Sequence, residues 1–371
     1  MGDTQQLGQK PERSGKYSNF SDPLGLLLRM LRSGNRAAFS ALFRAMLSVG
    51  ISPLDWLWQR KEQQRLASAS EAGPAHPLVL IVGPPRSGST LLFQALARYA
   101  DVSYLTNLTS MFRRSPITSA SWFHDFAPRR KQSMSKSLQN YYGQTPGLAA
   151  PNDGFDVWNR WLGDDRYQTP ASLEPKLIAE MQQFFAAWTG EFDKPFLNKN
   201  NRNSICLGLL ADTLPQATFV VIRREPVFLA QSLIEARLNV QGDKAQPWGL
   251  ASRRTHAENN HATGYVDDVC DQLLEIERRL QSQLSRIPGD RYLELSYEGF
   301  CANPRATLQQ IGRHVPALQL QEELMAAELS SFAASSTLRL SKEEIQQIEK
   351  RFSSAQIMRP LSFDKSRSVS S

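Results

Sequence analysis

The sequence is poor in cysteine and contains no long apolar run. Its three cysteines, Cys206, Cys270 and Cys301, are an odd number and lie far apart in a chain of 371 residues. This usage argues against a disulfide framework and against a zinc site, and it fits a reducing compartment, so we expect a cytoplasmic protein. No stretch reaches the roughly 18 apolar residues of a membrane span. The polar first 20 residues lack the apolar centre of a signal peptide.

An excess of acidic residues is also absent. The chain has 43 Lys and Arg against 36 Asp and Glu, which gives a formal net charge of +7. This surplus suits an anionic ligand but is modest for a dedicated nucleic-acid-binding protein, so we expect no nucleic-acid partner. Hydrophobic residues make up 41% of the chain, enough to bury a core.

Alternating apolar patterns divide the chain into one main domain with extensions. Leu, Phe and Met residues recur at helical spacing from about residue 22 to residue 67, and Ser52-Pro53 is expected to interrupt that pattern. Basic amphipathic helices of this kind can contact a membrane surface, or they can simply pack on the main domain. The predicted boundaries are 1–20 flexible, 21–75 helical extension and linker, 76–318 α/β domain with a helical insertion around 110–190, 319–360 helical, and 361–371 disordered.

Short apolar runs alternate with helical patterns in the main domain. This alternation predicts an α/β fold with a central, mostly parallel sheet flanked by helices. The runs predicted as strands are Pro77–Val82, Val102–Leu105, Phe196–Asn198, Thr218–Ile222 and Arg291–Leu295.

The first candidate anion site follows the first predicted strand. Gly83 and Gly88 are five residues apart, as in the phosphate-binding pattern G-x-x-x-x-G-K-[ST]. Glycines there let backbone N–H groups at a helix N-terminus approach an anion, and Arg86 adds a positive charge. Ser89 stands where a nucleotide triphosphatase has lysine. Ser87, Ser89 and Thr90 add hydroxyl donors, and Pro85 and Leu91 belong to the same loop. The alternative is a turn that only connects strand and helix.

The second candidate anion site follows the strand Thr218–Ile222. A P-loop triphosphatase often ends such a strand with a magnesium-binding aspartate, whereas this one ends in Arg223 and Arg224. Pro226 then begins a helical pattern, and Ser232 lies eight residues after Arg224. A strand-end arginine and a helix hydroxyl can bind one phosphate together. The alternative is that these residues are ordinary surface and helix residues.

Together these segments resemble a known pair. Pro85–Leu92 resembles the 5′-phosphosulfate loop, P-[RK]-S-G-[ST]-T, of the sulfotransferases that use 3′-phosphoadenosine 5′-phosphosulfate (PAPS). Arg224-Glu225-Pro226 with Ser232 resembles their 3′-phosphate segment. Phe196–Asn200 and Leu295–Phe300 resemble two further segments of bacterial and Golgi-type members. The resemblance implies a P-loop-like fold, PAPS as the sulfuryl donor, and no metal requirement.

The resemblance also implies catalytic residues and an acceptor class. Lys199 matches a lysine near the sulfuryl group, and with Arg86 it would meet the charge of the leaving phosphate. Asp153 stands where a catalytic glutamate is usual, with Asp156 and His124 as other candidate bases. Asp153 could instead cap the helix that follows it. The acceptor would carry a hydroxyl, or an amine, on a glycan or another small or lipid-linked molecule.

Two other functions fit parts of this pattern. A P-loop kinase or triphosphatase would depend on ATP and Mg²⁺. A non-catalytic protein that binds a nucleotide or a membrane surface would show no turnover. The sequence predicts neither the exact acceptor nor an oligomeric state.

Overall fold

The structure is a computed structural model, and it describes residues 23–32, 34, 36–124, 143, 145–164, 169–250, 264–334 and 337–355. The predicted flexible N-terminus and the predicted disordered tail lie outside these ranges. The predicted domain boundaries remain predictions.

A parallel sheet of four strands forms the centre of the fold. The strands are β1 (Leu78–Val82), β2 (Phe196–Lys199), β3 (Ala217–Arg223) and β4 (Tyr292–Ser296), and their order in the sheet is β2-β1-β3-β4. All three neighbouring pairs are parallel. The predicted α/β fold class and four of the five predicted strands are therefore confirmed.

Helices surround this sheet. They are α1 (Pro23–Arg32), α2 (Arg36–Ala67), α3 (Ser89–Tyr99), α4 (Pro116–His124), α5 (Phe155–Leu162), α6 (Pro175–Phe192), α7 (Leu207–Thr213), α8 (Pro226–Gln241), α9 (Tyr265–Leu284), α10 (Tyr297–Ala302), α11 (Pro304–His314), α12 (Glu322–Glu328) and α13 (Lys342–Ala355).

Burial on both faces explains the apolar composition of β1. All five of its residues are buried. Leu78, Leu80 and Val82 join a hydrophobic cluster on one face of the sheet, whereas Val79 and Ile81 join a cluster on the other face. Alternate side chains of a strand point to opposite faces, so a strand covered on both sides reads as a continuous apolar run.

The predicted strand at Val102–Leu105 is wrong. Only Ser103 pairs with β2, through an isolated bridge to Phe196. Three residues later the chain pairs in the opposite direction, at Thr106 and Pro151. The apolar residues of this run, such as Leu105, are buried, although the segment forms only one bridge to the sheet.

The predicted interruption at Ser52-Pro53 is also wrong, because α2 continues through Pro53. A proline inside a helix leaves the carbonyl four residues earlier without its N–H donor. That carbonyl belongs to Val49, a residue on an exposed part of α2. Within the described ranges, no helix combines the length and apolar character needed to span a membrane.

Two buried acids fasten α2 to the main domain. The Asp55 carboxylate accepts hydrogen bonds from the backbone N–H groups of Arg114 and Ser115. The Glu62 carboxylate accepts them from Ile117 and Thr118 at the start of α4. These bonds satisfy helix N–H groups that have no partner within α4. Burial raises the pKa of Glu62.

Candidate active site

A cleft of about 960 Å³ lies at the carboxyl ends of the strands. Each strand contributes to its lining through the residues at or just after its end, among them Arg86, Lys199, Arg224 and Tyr297. In the sheet β1 lies between β2 and β3, so the chain leaves β1 toward one side and returns on the other. Open α/β sheets bind ligands at such a switch point.

The loop after β1 has a backbone that only glycine fits at two positions. Gly83 has φ +154°, and a Cβ there would lie 2.4 Å from the carbonyl oxygen of Ile222. Gly88 has φ +91°, and a Cβ there would lie 2.1 Å from Cδ2 of Tyr297. Gly88 is also the N-cap of α3 and provides no side-chain cap. The first N–H groups of α3 therefore point into the loop without a capping side chain.

The hydroxyl groups of this loop have different surroundings. Ser87 is fully buried, and its Oγ has no hydrogen-bond partner among the described residues. Ser89 donates its hydroxyl to Oδ1 of Asn201 at 3.3 Å. The remaining predicted loop residues, Pro85, Thr90 and Leu91, line the cleft.

The two predicted anion sites meet at Arg86. Arg224 donates from Nη1 to the backbone carbonyl oxygen of Arg86 at 3.2 Å. Arg86 in turn donates from Nε to Oγ of Ser232 on α8 at 3.1 Å. The strand-end arginine, the loop and the helix hydroxyl thus form one connected cluster, although they are far apart in sequence.

The ring of Tyr297 packs against this cluster. The guanidinium carbon of Arg224 lies 4.7 Å from the centre of the Tyr297 ring, within cation–π range. The same ring is the group that a side chain at Gly88 would strike. Burial raises the pKa of Tyr297 to about 12, so its phenol stays neutral near physiological pH.

The adjacent Arg223 has a different role. Its guanidinium pairs with Glu277 at 2.7 Å and also with Glu294 of β4. Successive residues at a strand end point to opposite sides of the sheet. Only Arg224 of this arginine pair therefore reaches the cleft, and Arg223 fixes the strand to its neighbours.

Lys199 and Asp153 form an ion pair in the cleft. Nζ of Lys199 lies 2.9 Å from Oδ2 of Asp153, and the lysine side chain is only 3% exposed. The backbone oxygen of Asp153 accepts hydrogen bonds from the side-chain amides of Asn198 and Asn200, which flank Lys199.

The alternative role of Asp153 as a helix cap is wrong, because α5 begins after Gly154 without a side-chain cap.

The other two candidate bases differ from Asp153. Asp156 lines the cleft, but its side chain is 41% exposed and pairs with Arg113 at 3.1 Å. His124 is the last residue of α4, and its side chain lies outside the described part of the structure.

One wall of the cleft comes from residues that no sequence motif indicated. The inner sides of α1 and α2 contribute Leu26, Met30, Ala41, Leu42, Arg44 and Ser48. Further lining residues are Trp248, Gly249, Leu250 and Phe332. Burial lowers the pKa of Arg44 to about 10, so this guanidinium is still protonated at neutral pH. Helical periodicity predicted the helices but not which structure their faces would contact.

The cleft has the charge balance of an anion site. Its lining includes five basic residues, Arg44, Arg86, Arg113, Lys199 and Arg224, and two acidic ones, Asp153 and Asp156. Within the described ranges, no group of three or more His, Cys, Asp and Glu side chains is arranged to hold a metal ion.

Comparison with known proteins assigns the family. A profile described as "Sulfotransferase family" matches residues 77–317, which include all four strands. The chain belongs to the sulfotransferase family. A search of curated protein sequences finds no significant match.

Two solved sulfotransferases share the fold. STF9 from Mycobacterium avium has a TM-score of 0.52 and 12% identity, with 92% of this chain and 92% of that chain covered. STF1 from Mycobacterium tuberculosis H37Rv has a TM-score of 0.50 and 13% identity, with 89% of this chain and 91% of that chain covered. At such identities the likeness extends to the fold alone.

Proposed function

We propose that this sulfotransferase transfers a sulfuryl group from PAPS to a hydroxyl group, or an amine, of an acceptor. The contact of Arg224 with the loop at Arg86, and of Arg86 with Ser232, is the observation that carries the proposal. PAPS has a phosphosulfate at its 5′ position and a phosphate at its 3′ position. A protein that binds it therefore needs two anion sites close enough for one adenosine, and these three residues join two such sites.

The residues of the cleft fit that ligand. On the 5′ side, Thr90 in the cleft lining and the uncapped start of α3 supply donors for a phosphosulfate, whereas Ser87 is buried behind the loop. On the 3′ side, Arg224 has a buried Nε with no hydrogen-bond partner among the described residues, and Ser232 supplies a hydroxyl. Arginine binds phosphate oxygens with two parallel N–H groups, so this unused donor suits a phosphate.

The reaction needs stabilisation of the leaving group. PAPS supplies a sulfuryl group attached to a phosphate, and negative charge grows on the bridging oxygen as the S–O bond breaks. Lys199, Arg86 and the N–H groups at the start of α3 would stabilise this charge electrostatically. Asp153 holds Lys199 in position for this role. The Lys199 side chain is almost completely shielded from solvent, and electrostatic interactions are stronger away from water.

Asp153 is the proposed general base. Its Oδ2 bonds to Lys199, and its residue lines the cleft beside the loop. A carboxylate in this place would accept the proton of the acceptor hydroxyl as the new S–O bond forms. The ion pair therefore places Asp153, which would receive the proton, beside Lys199, which would stabilise the leaving phosphate.

The proposal is tested by calorimetry with the product nucleotide, adenosine 3′,5′-bisphosphate (PAP). We expect PAP to bind in the presence of a metal chelator, and AMP, which lacks the 3′-phosphate, to bind much more weakly. Loss of a hydrogen-bonded ion pair costs about 1.5–3 kcal/mol, so Arg224→Gln should weaken PAP binding about tenfold to a hundredfold. The same change should leave AMP binding nearly as it was.

Arg223→Gln is the matched control, since this neighbour pairs with Glu277 and Glu294 away from the cleft. It should preserve the preference for PAP over AMP. ATP with Mg²⁺ serves as the test for kinase or triphosphatase activity. Tighter binding of ATP than of PAP, or an unchanged PAP preference in Arg224→Gln, would contradict the proposed donor.

A further inference from the structure

The exposed apolar side chains of this protein are concentrated on its two N-terminal helices. Among the described residues, fourteen large apolar side chains are exposed, and ten of them belong to α1 and α2. An eleventh, Trp122 of α4, contacts Trp58 of α2 at a tilted angle, with ring centres 5.3 Å apart. The ten are Leu27, Leu28, Leu31, Phe39, Phe43, Met46, Val49, Leu54, Trp56 and Leu57. We call this surface the outer face of α1 and α2.

Four residues of the outer face fall along one side of α2. At 3.6 residues per turn, Phe39, Phe43, Met46 and Leu57 fall within about 60° of one another around α2. Met46 is 77% exposed and Phe43 58% exposed, so the described part of the protein leaves both side chains largely uncovered. An apolar line of this length normally faces a core or an interface.

The charges of these helices are separated between the two faces. The only acids between residues 23 and 67 are Asp55 and Glu62, and both are buried against the start of α4. Arg60 and Lys61 continue the outer face beyond Leu57 and are exposed. The exposed side of α1 and α2 therefore combines apolar side chains with positive charge, and the described acids of these helices point inward.

This combination favours an anionic lipid surface over a second copy of the chain. In a twofold dimer the same face would meet itself, so its basic residues would meet basic residues without an acid on these helices to pair with them. A bilayer surface offers acyl chains for the apolar line and phosphate headgroups for the basic residues. Trp56, 61% exposed on this face, belongs to the residue type enriched at membrane interfaces.

We propose that the outer face of α1 and α2 docks on the surface of an anionic lipid bilayer. The inner sides of the same helices line the cleft through residues such as Met30 and Leu42. A docked bilayer and the cleft would thus be separated by one helix, about 10 Å across. If the proposed function holds, this position suits an acceptor whose hydroxyl headgroup is held at the membrane by a lipid tail.

Sedimentation with vesicles tests the docking without any need for activity. The full-length protein is mixed with vesicles of phosphatidylcholine alone, or of phosphatidylcholine and phosphatidylglycerol in equal amounts. We expect binding to the anionic vesicles that weakens with salt. The double variant Phe43→Gln/Met46→Gln should bind about tenfold more weakly, because both side chains would insert into the acyl boundary. Arg60→Gln/Lys61→Gln should lose about fivefold for each removed charge.

Leu338→Gln is the control, because Leu338 is an exposed apolar residue outside α1 and α2. It should bind vesicles as the unchanged protein does. Equal binding of Phe43→Gln/Met46→Gln and the unchanged protein would overturn the proposal. So would a dimer in lipid-free solution that this double variant dissociates, because the outer face would then belong to a second copy. PAP calorimetry on the same samples keeps failure of the proposed function separate from failure of docking.

Discussion

The sheet edge and the helical wall enclose the same cleft but are built differently. The sheet edge, meaning the carboxyl ends of the strands and the loops that follow them, holds polar groups at or just after the strand ends, as at Arg86, Lys199 and Arg224. At the helical wall, α1 and α2 contribute one face each and are held in place by Asp55 and Glu62. The family profile matches residues 77–317, so it includes the sheet edge and excludes these two helices.

The two regions therefore differ in how precisely they place their side chains. A sheet edge fixes donors within a fraction of an ångström, because each strand is hydrogen-bonded to its neighbours. A wall of packed helix faces sets the shape and polarity of the space opposite those donors. We therefore expect changes at the sheet edge to alter nucleotide binding and turnover, and changes at the wall to alter stability, acceptor choice or location.

The largest expected effect is on turnover, from Asp153→Asn. An amide can still accept the hydrogen bond from Lys199 but cannot take the acceptor's proton, so kcat should fall about 10²–10⁴-fold. PAP affinity should change little. The measurement is steady-state PAP release with PAPS and an acceptor obtained by screening.

Asp156→Asn is the control for this prediction. Asp156 also lines the cleft but is more exposed and pairs with Arg113. The kcat of Asp156→Asn should stay within about tenfold of that of the unchanged enzyme, because a carboxylate that is paired with Arg113 is not expected to take the acceptor's proton. A larger loss in Asp156→Asn than in Asp153→Asn would assign the base to Asp156.

The next largest effect is on the loop, from Gly88→Ala. The added Cβ would lie 2.1 Å from the Tyr297 ring, in a backbone conformation with φ +91°. We expect a loss of about 2–3 kcal/mol in the free energy of unfolding, measured in urea, because conformational strain and overpacking add. PAP binding should weaken in parallel, since Tyr297 also supports Arg224.

Gly147→Ala separates strain from overpacking. Gly147 has φ +88°, close to that of Gly88, and no atom within 4 Å of an added Cβ, so only the backbone cost of about 1–2 kcal/mol should remain. In a protein that already carries Tyr297→Ala, the further change Gly88→Ala should cost less than it does in the unchanged protein. If Gly88→Ala and Gly147→Ala cost the same, contact with Tyr297 does not constrain the loop.

The smallest effect belongs to the helical wall, from Glu62→Gln. An amide nitrogen cannot accept one of the hydrogen bonds that Ile117 and Thr118 donate, so unfolding should become easier by about 1–3 kcal/mol. The exposed Gln64→Ala on the same helix should change it by less than about 0.5 kcal/mol. PAP affinity should be unchanged in both variants, whereas a loss of PAP binding in Glu62→Gln would mean that the two regions are coupled.

The pH dependence of this variant follows from the raised pKa of Glu62. Burial disfavours the charged carboxylate in the folded protein, so the unfolded chain ionises this group first. The stability that the neutral carboxyl contributes is complete below its unfolded pKa, about 4.3, and is lost as pH rises through the higher folded value. The unchanged protein should therefore lose stability relative to Glu62→Gln as pH increases from 4, and a difference that is constant with pH would contradict this.

Local patterns explain why most of the sheet edge was predictable. A buried parallel strand requires a continuous apolar run, and the loop after it requires glycine where the backbone has positive φ, as at Gly88. The run at Val102–Leu105 shows the limit of this reasoning. Its composition matches a strand, but only Ser103 has a neighbour in the sheet, and pairing depends on where distant residues such as Phe196 lie.

The order of the residues along the chain was enough to predict the α/β class, the loop and the arginine segment, because each depends on neighbours within one turn or one strand. Tertiary structure decided that Arg224 reaches the loop while Arg223 turns away, and that Asp153 meets Lys199 rather than capping a helix. It also decided which side of α2 lines the cleft and which side is exposed in the described part of the chain. These outcomes depend on contacts between residues 46 to 138 positions apart in sequence, and no local spacing encodes such contacts.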